Sequence, residues 1–81
     1  MTPPKFSVND LVRFKMLSEV GQMHDAFWID GSGNEIPECC IGLIVLRHPS
    51  CEVLGWEYDI YVSVIEKIST NWGEFVLEPI A

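Results

Sequence analysis

Basic residues are scarce in this sequence. Five Lys and Arg stand against twelve Asp and Glu, for a formal net charge of −7. The imbalance deepens along the chain: residues 31–81 hold two positive and eight negative charges. Binding phosphates takes clustered Lys and Arg that displace counterions. Here only Arg13 and Lys15 lie close together. That sets aside nucleic acid as a partner, and an anionic membrane surface for the same reason. Long apolar runs are missing too. The longest, Cys39 through Leu46, falls far short of the roughly 20 residues that cross a bilayer. The opening Met1-Thr2-Pro3-Pro4-Lys5 lacks the apolar stretch of a signal peptide, so export by one is not expected.

Cysteine is sparse and odd in number: three residues, with no Cys-x-x-Cys pair. That fits a reducing compartment, where cysteine behaves as a small apolar side chain. A disulfide through Cys51 needs an oxidising compartment and leaves one thiol over. Cys39, Cys40, His48 and Cys51, with His24 as a distant fourth ligand, invite a zinc reading. Zinc needs four ligands converging as a tetrahedron. Adjacent Cys39 and Cys40 on a strand point to opposite faces, so buried free thiols are the plainer reading. A cysteine nucleophile needs a thiolate beside a base. Cys51 lies three residues from His48, but in an acidic stretch that raises a thiol's pKa. Glu57 and Asp59 share a strand face at roughly 7 Å spacing. Outward carboxylates serve solubility, and a chain this short builds no deep cleft easily. Gly31-Ser32-Gly33 lacks the Lys-Ser/Thr of a phosphate loop. No set of residues converges on catalysis, so no enzyme activity, cofactor or structural metal is expected.

Apolar residues are plentiful: 48% of 81 residues, with 11% aromatic. A chain of this size buries only about 60% of the surface its unfolded form exposes. The supply exceeds what one small core holds, and surplus apolar surface points to a partner. Leu11–Met16 alternates, with Val12, Phe14 and Met16 on one face and Arg13 and Lys15 on the other. Leu17–Met23 reads as a helical turn. Phe27-Trp28-Ile29 reads as a short strand, Asp30–Asn34 as a turn, and Glu35-Ile36 as the returning arm of a hairpin, with Pro37 confining it to an edge. Residues 39–46 are apolar without interruption, so that strand is expected to be buried on both sides, with Gly42 at a bend. Residues 47–50 read as a loop. Trp56, Tyr58, Ile60, Val62 and Val64 alternate with polar residues in the cleanest strand of the chain. Residues 69–73 read as a turn, and Phe75–Pro79 as a last strand. No repeat, low-complexity tract or linker interrupts 1–81, so one domain is expected. Four or five short strands in so short a chain suggest a small closed or nearly closed barrel, which removes exposed strand edges.

Three stretches resemble the SH3-like small β-barrel proteins of tailed bacteriophages. Phe6-Ser7-Val8-Asn9-Asp10-Leu11-Val12-Arg13-Phe14 is similar to their opening strand, with Asn9 in place of the usual Gly. Gly42-Leu43-Ile44-Val45 is similar to the second strand, and Phe75-Val76-Leu77-Glu78-Pro79-Ile80 to the closing one. The resemblance covers about half the chain, and the segment at 17–38 is long for a first loop. It implies a mostly-β fold: an SH3-like barrel of four to six short strands with a long first loop or hairpin. It implies a binding habit and transfers no catalytic residues. The expected location is the virion or the reducing host cytoplasm.

The leading expectation is a non-enzymatic binding or assembly module. Its setting would be the neck, tail, baseplate or capsid surface of a virion, or an accessory role. Its partner would be protein: further copies of itself or a larger assembly. Trp28 and Trp72 sit beside turns, where half-exposed aromatics serve contact. Phe27, Trp28, Ile29 and Trp72 are the expected contact residues, with the 24–37 segment projecting at Gly31–Gly33. The alternative is an acidic inhibitor that imitates nucleic acid and blocks a host defence enzyme. A mimic needs carboxylates in rows with few apolar interruptions, whereas a docking module carries an apolar patch ringed by charge.

Overall fold

Alternation decides the first strand. Val12 and Phe14 turn inward from β1 (Leu11–Phe14) and are fully buried, while Leu11 and Arg13 face out. The computed structural model describes residues 3–20, 27–50 and 55–80. After β1 come a 3-10 turn at Leu17–Val20, β2 (Phe27–Ile29), β3 (Glu35–Pro37) and β4 (Ile41–Pro49). Then follow β5 (Trp56–Val62), β6 (Lys67–Gly73), a 3-10 turn at Glu74–Val76 and β7 (Leu77–Pro79). The protein is mostly β, as expected, with no α-helix among the described residues. Five strands form one antiparallel sheet in the order β6-β5-β4-β1-β7, and β2 and β3 form a separate hairpin inside the long first connection. The sheet is open. β6 and β7 are its edges and do not pair with each other, so hydrogen bonds do not close the expected barrel.

β1 lies between β4 and β7, which sets the three barrel-like stretches side by side. Asn9 has φ 77, in the left-handed region that Gly or Asn enters at least cost. Its N–H donates to the Ile44 carbonyl at 2.8 Å and fixes the entry into β1. Arg13 reaches across to β7, where its guanidinium pairs with Glu78.

The core gathers one face of each strand: Val12 and Phe14 from β1, Ile44 from β4, Tyr58, Ile60 and Val62 from β5, Trp72 from β6. Ile36 of the hairpin is also fully buried, so the hairpin covers the core. The register differs from expectation in β4. Only one side of that strand is buried: Gly42 and Ile44 face inward, Ile41 and Leu46 are half exposed. A continuous apolar run does not say which face is inside, and a bulge between Ile44 and Leu46 shifts the alternation. Gly42 itself marks close approach, since a Cβ there would overlap Ile60 Cγ2. β4 also runs on through 47–49, where a loop was expected, because Arg47 and His48 pair with Tyr58 and Glu57.

Other differences have local causes. Met16 lies past the end of β1 and is 44% exposed. β5 stops at Val62, and Val64 falls in a turn at 63–66, where Glu66 takes φ 54. Residues 69–73 belong to strand β6 rather than to a turn, with Ser69 and Trp72 buried. Asn71 there, at φ 64, forms the bulge opposite Asp59. The last strand is shorter than expected because 74–76 coil into the 3-10 turn. The expected helical turn is a 3-10 turn over Leu17–Val20, and residues 21–23 lie outside the described residues.

Candidate functional site

An open groove of about 660 Å³ lies where the hairpin meets β5, β6 and the 74–76 turn. Trp28 and Ile29 enter it from β2, Trp56 from the start of β5, and Phe75 from the 3-10 turn. Buried Trp72 and Val76 close its base. Glu74 brings a carboxylate to it, and Lys5 is the one cation among its lining residues; Glu57 also lines it, but its side chain leaves β5 on the face opposite Tyr58.

Its aromatic rings are held from behind. Trp72 packs edge-on against Phe14 at 5.1 Å between centroids and against Trp28 at 6.0 Å. Such perpendicular pairs align ring edge with ring face. Trp28 Nε1 donates to the Lys15 carbonyl at 2.9 Å, which pins the hairpin to the end of β1. Trp72 Nε1 donates to Ser69 Oγ at 2.8 Å. Ser69 Oγ in turn donates to the Asp30 carboxylate, which also accepts from the Ser32 N–H, the Asn34 N–H and Asn34 Nδ2. Partial burial works to raise the Asp30 pKa, but these hydrogen bonds outweigh it and hold the carboxyl below 3.8. Asp30 thus stays charged and ties the hairpin turn to β6.

The other side is held through Glu74. Its Oε2 accepts from Tyr58 OH at 2.5 Å and from the Lys5 N–H at 2.7 Å, and Tyr58 OH accepts from the Phe6 N–H at 3.3 Å. Burial pushes the Tyr58 hydroxyl up to about 12, with the Glu74 hydrogen bond adding to the shift. Glu57 makes no side-chain hydrogen bond or ion pair among the described residues, and it shares the outward face of β5 with Asp59 and Tyr61. Arg47 stacks over the Trp56 ring at 5.6 Å, a cation–π contact within the chain itself.

Of the four contact residues expected from sequence, Trp28, Ile29 and Trp72 meet in this groove. Ile29 is 63% exposed, Trp28 half-buried and Trp72 buried at its base. Phe27 is exposed but does not line it. Trp56 and Phe75 were not among those four, and Glu57 was weighed only with Asp59. The alternation of β5 assigned Trp56 to the core, and it is half-buried because it starts the strand. Of the residues weighed for metal, neither Cys39 nor Cys40 is on a strand: Cys39 sits exposed in a turn, and Cys40 follows it, half-buried. Burial pushes the Cys40 thiol up. His48 Nε2 instead meets Asp59 Oδ1 at 3.3 Å. His24 and Cys51 lie outside the described residues. Among the described residues no three His, Cys, Asp or Glu side chains gather to hold a metal.

Comparison with family models, with curated proteins and with solved structures found no match.

Proposed function

We propose that this chain is a non-enzymatic binding module that holds an extended, proline-containing segment of a partner protein in its aromatic groove. The observation that carries this reading is the convergence of Trp28, Trp56, Trp72 and Phe75 on one open groove. Extended polyproline segments lose little entropy on binding and pack their rings against indole faces. Tyr58 and the Lys5 N–H take Glu74 Oε2, and its other oxygen at the same groove favours a Lys or Arg beside the prolines. The resemblance of three strands to phage barrels supports a virion or accessory setting, where a small module joins larger proteins.

The acidic-mimic alternative fits the surface less well. Asp59, Glu74 and Glu78 are engaged by His48, Tyr58 and Arg13, and on the outer sheet face the exposed Leu11, Ile41, Leu46, Tyr61 and Ile68 interrupt the carboxylates. The test is a peptide array of proline-containing sequences with and without a flanking Arg, read by fluorescence of the groove tryptophans. Binding that falls at least tenfold in Trp56→Ala and in Phe75→Ala is expected. Absence of any binding peptide, with recovery of a DNA-processing enzyme that DNA displaces, would overturn the proposal in favour of the mimic.

A further inference from the structure

The side of the sheet turned away from the core carries a continuous apolar row. Leu11 of β1 pairs with Leu43 of β4, Leu43 with Tyr61 of β5, and Tyr61 with Ile68 of β6. The row therefore crosses four adjacent strands. Leu11 and Ile68 are each 54% exposed and Tyr61 38%. Ile41 and Leu46, at 51% each, widen it on either side. None of these residues lines the aromatic groove.

We infer that this face is the interface of a homodimer, packed sheet against sheet on a second copy of the chain. Three observations favour a like copy as the occupant. The first is area. Five side chains exposed by about half leave on the order of 500 Å² of apolar surface. A stable interface takes roughly 800 Å² per partner, a little over half of it apolar. The row supplies that apolar share alone. The second is shape. A two-fold axis through the midpoint of the row sets Leu11 against Ile68 of the second copy and Leu43 against its Tyr61. The row is then its own complement, as an isologous interface requires, and two sheets stack face to face about 10 Å apart. The third is charge. A chain of net charge −7 repels its copy unless the facing surfaces are locally neutral. Two of the carboxylates bordering the row have partners inside the chain: Glu78 pairs with Arg13, and Asp59 meets His48 Nε2 and accepts from the Asn71 N–H.

Sedimentation equilibrium over a range of concentrations tests the inference. The expected result is a species of twice the 9.2 kDa chain mass. Leu11→Glu with Ile68→Glu should weaken association at least 100-fold while the near-ultraviolet dichroism of the buried aromatics is kept. Should that pair not fold, Leu11→Thr with Ile68→Thr keeps strand propensity and should shift the equilibrium the same way by a smaller factor. Phe75→Glu, in the groove, should leave the dimer intact while abolishing peptide binding, so failure of one reading is separable from failure of the other. A wild-type chain that stays monomeric at every concentration overturns the inference. So does a dimer that survives the folded row variants or dissolves on Phe75→Glu.

Discussion

Adding one methyl group at Gly42 should destabilise the fold measurably. Gly42 faces the core from β4, opposite Val62 of β5 and Val12 of β1. A Cβ at this position overlaps Ile60 Cγ2 and stands 3.3 Å from the Tyr61 carbonyl and 3.6 Å from Phe14 Cε2. Ile60 and Phe14 are both fully buried. The clashing atom is a β-branch methyl next to the backbone, so no flexible side-chain end can swing away. Relief requires β4 and β5 to move apart or Ile60 to leave its rotamer, and overpacking of this kind costs about 1–3 kcal/mol. Ala recovers about 0.5–1 kcal/mol of the conformational freedom that Gly loses on folding. The net loss for Gly42→Ala is therefore about 1–2 kcal/mol.

Urea unfolding followed by tryptophan fluorescence reads this directly, because Trp72 is buried against Phe14. With a slope near 1 kcal/mol per molar for a small domain, the midpoint should fall by about 1–2 M. The thermal midpoint should fall by roughly 5–15 °C. Gly31→Ala is the control: nothing lies within 4 Å of a Cβ there, so its effect should stay within about 0.5 kcal/mol. Ile60→Leu removes the Cγ2 branch, so Gly42→Ala should cost about 1 kcal/mol less in that background. A Gly42→Ala chain as stable as the parent, or one equally destabilised with Leu at 60, refutes the reasoning.

The Asp30 link should be pH-dependent. Its folded pKa is depressed, so its contribution is present above the unfolded value of 3.8 and is lost as pH falls through the lower folded value. Ser69→Ala should lower stability by about 1–2 kcal/mol at neutral pH, by leaving Trp72 Nε1 without its acceptor, and should flatten that acid limb in an unfolding titration. Tyr58 acts at the other end of the scale. Its folded pKa is raised, so its contribution is complete below pH 10 and lost as pH rises toward about 12. Thermal midpoints measured across that window should fall in the parent, and Tyr58→Phe should be less stable near neutral pH and should lack the tyrosine-dependent part of the fall.

The strands that alternate cleanly were legible, and those with bulges were not. β1 and most of β5 follow a strict period of two, so their buried faces were readable from Val12, Phe14, Tyr58, Ile60 and Val62. In β4 every position from 41 to 46 is apolar or Gly, so the pattern carries no face information, and the bulge at Val45 would have broken it anyway. Composition misleads at β6: Ser-Thr-Asn-Trp-Gly is turn-rich, yet Asn71 uses its tolerance of positive φ for a bulge inside the strand. The real turn at 63–66 contains Val64 and Ile65, which read as strand. In the site, the tryptophans beside turns were visible as contact candidates. The Ser69–Asp30 bond spans 39 positions of sequence and leaves no local trace.

The surplus of apolar residues is divided by the hairpin. Had 27–37 projected freely, Ile36 and Trp28 would have joined the exposed set. Instead Ile36 is fully buried, Trp28 packs on Trp72, and Asp30 bonds to Ser69. The hairpin therefore covers one side of the open sheet, and its margin with β5, β6 and the 74–76 turn becomes the groove. No element among the described residues covers the other side, and the exposed Leu11, Ile41, Leu46, Tyr61 and Ile68 remain there. The two surfaces use opposite faces of the sheet, since Trp72 points inward and Ile68 outward on the same strand. A dimer through the outer faces then leaves both grooves open. Two grooves on one particle bind two copies of a repeated segment, and the second binding event gains from effective concentration. Peptide binding by the dimer should accordingly tighten on a surface that presents many copies of the segment. The same surface should show no such gain for the Leu11→Glu, Ile68→Glu monomer, whose affinity for a single peptide in solution stays that of the parent.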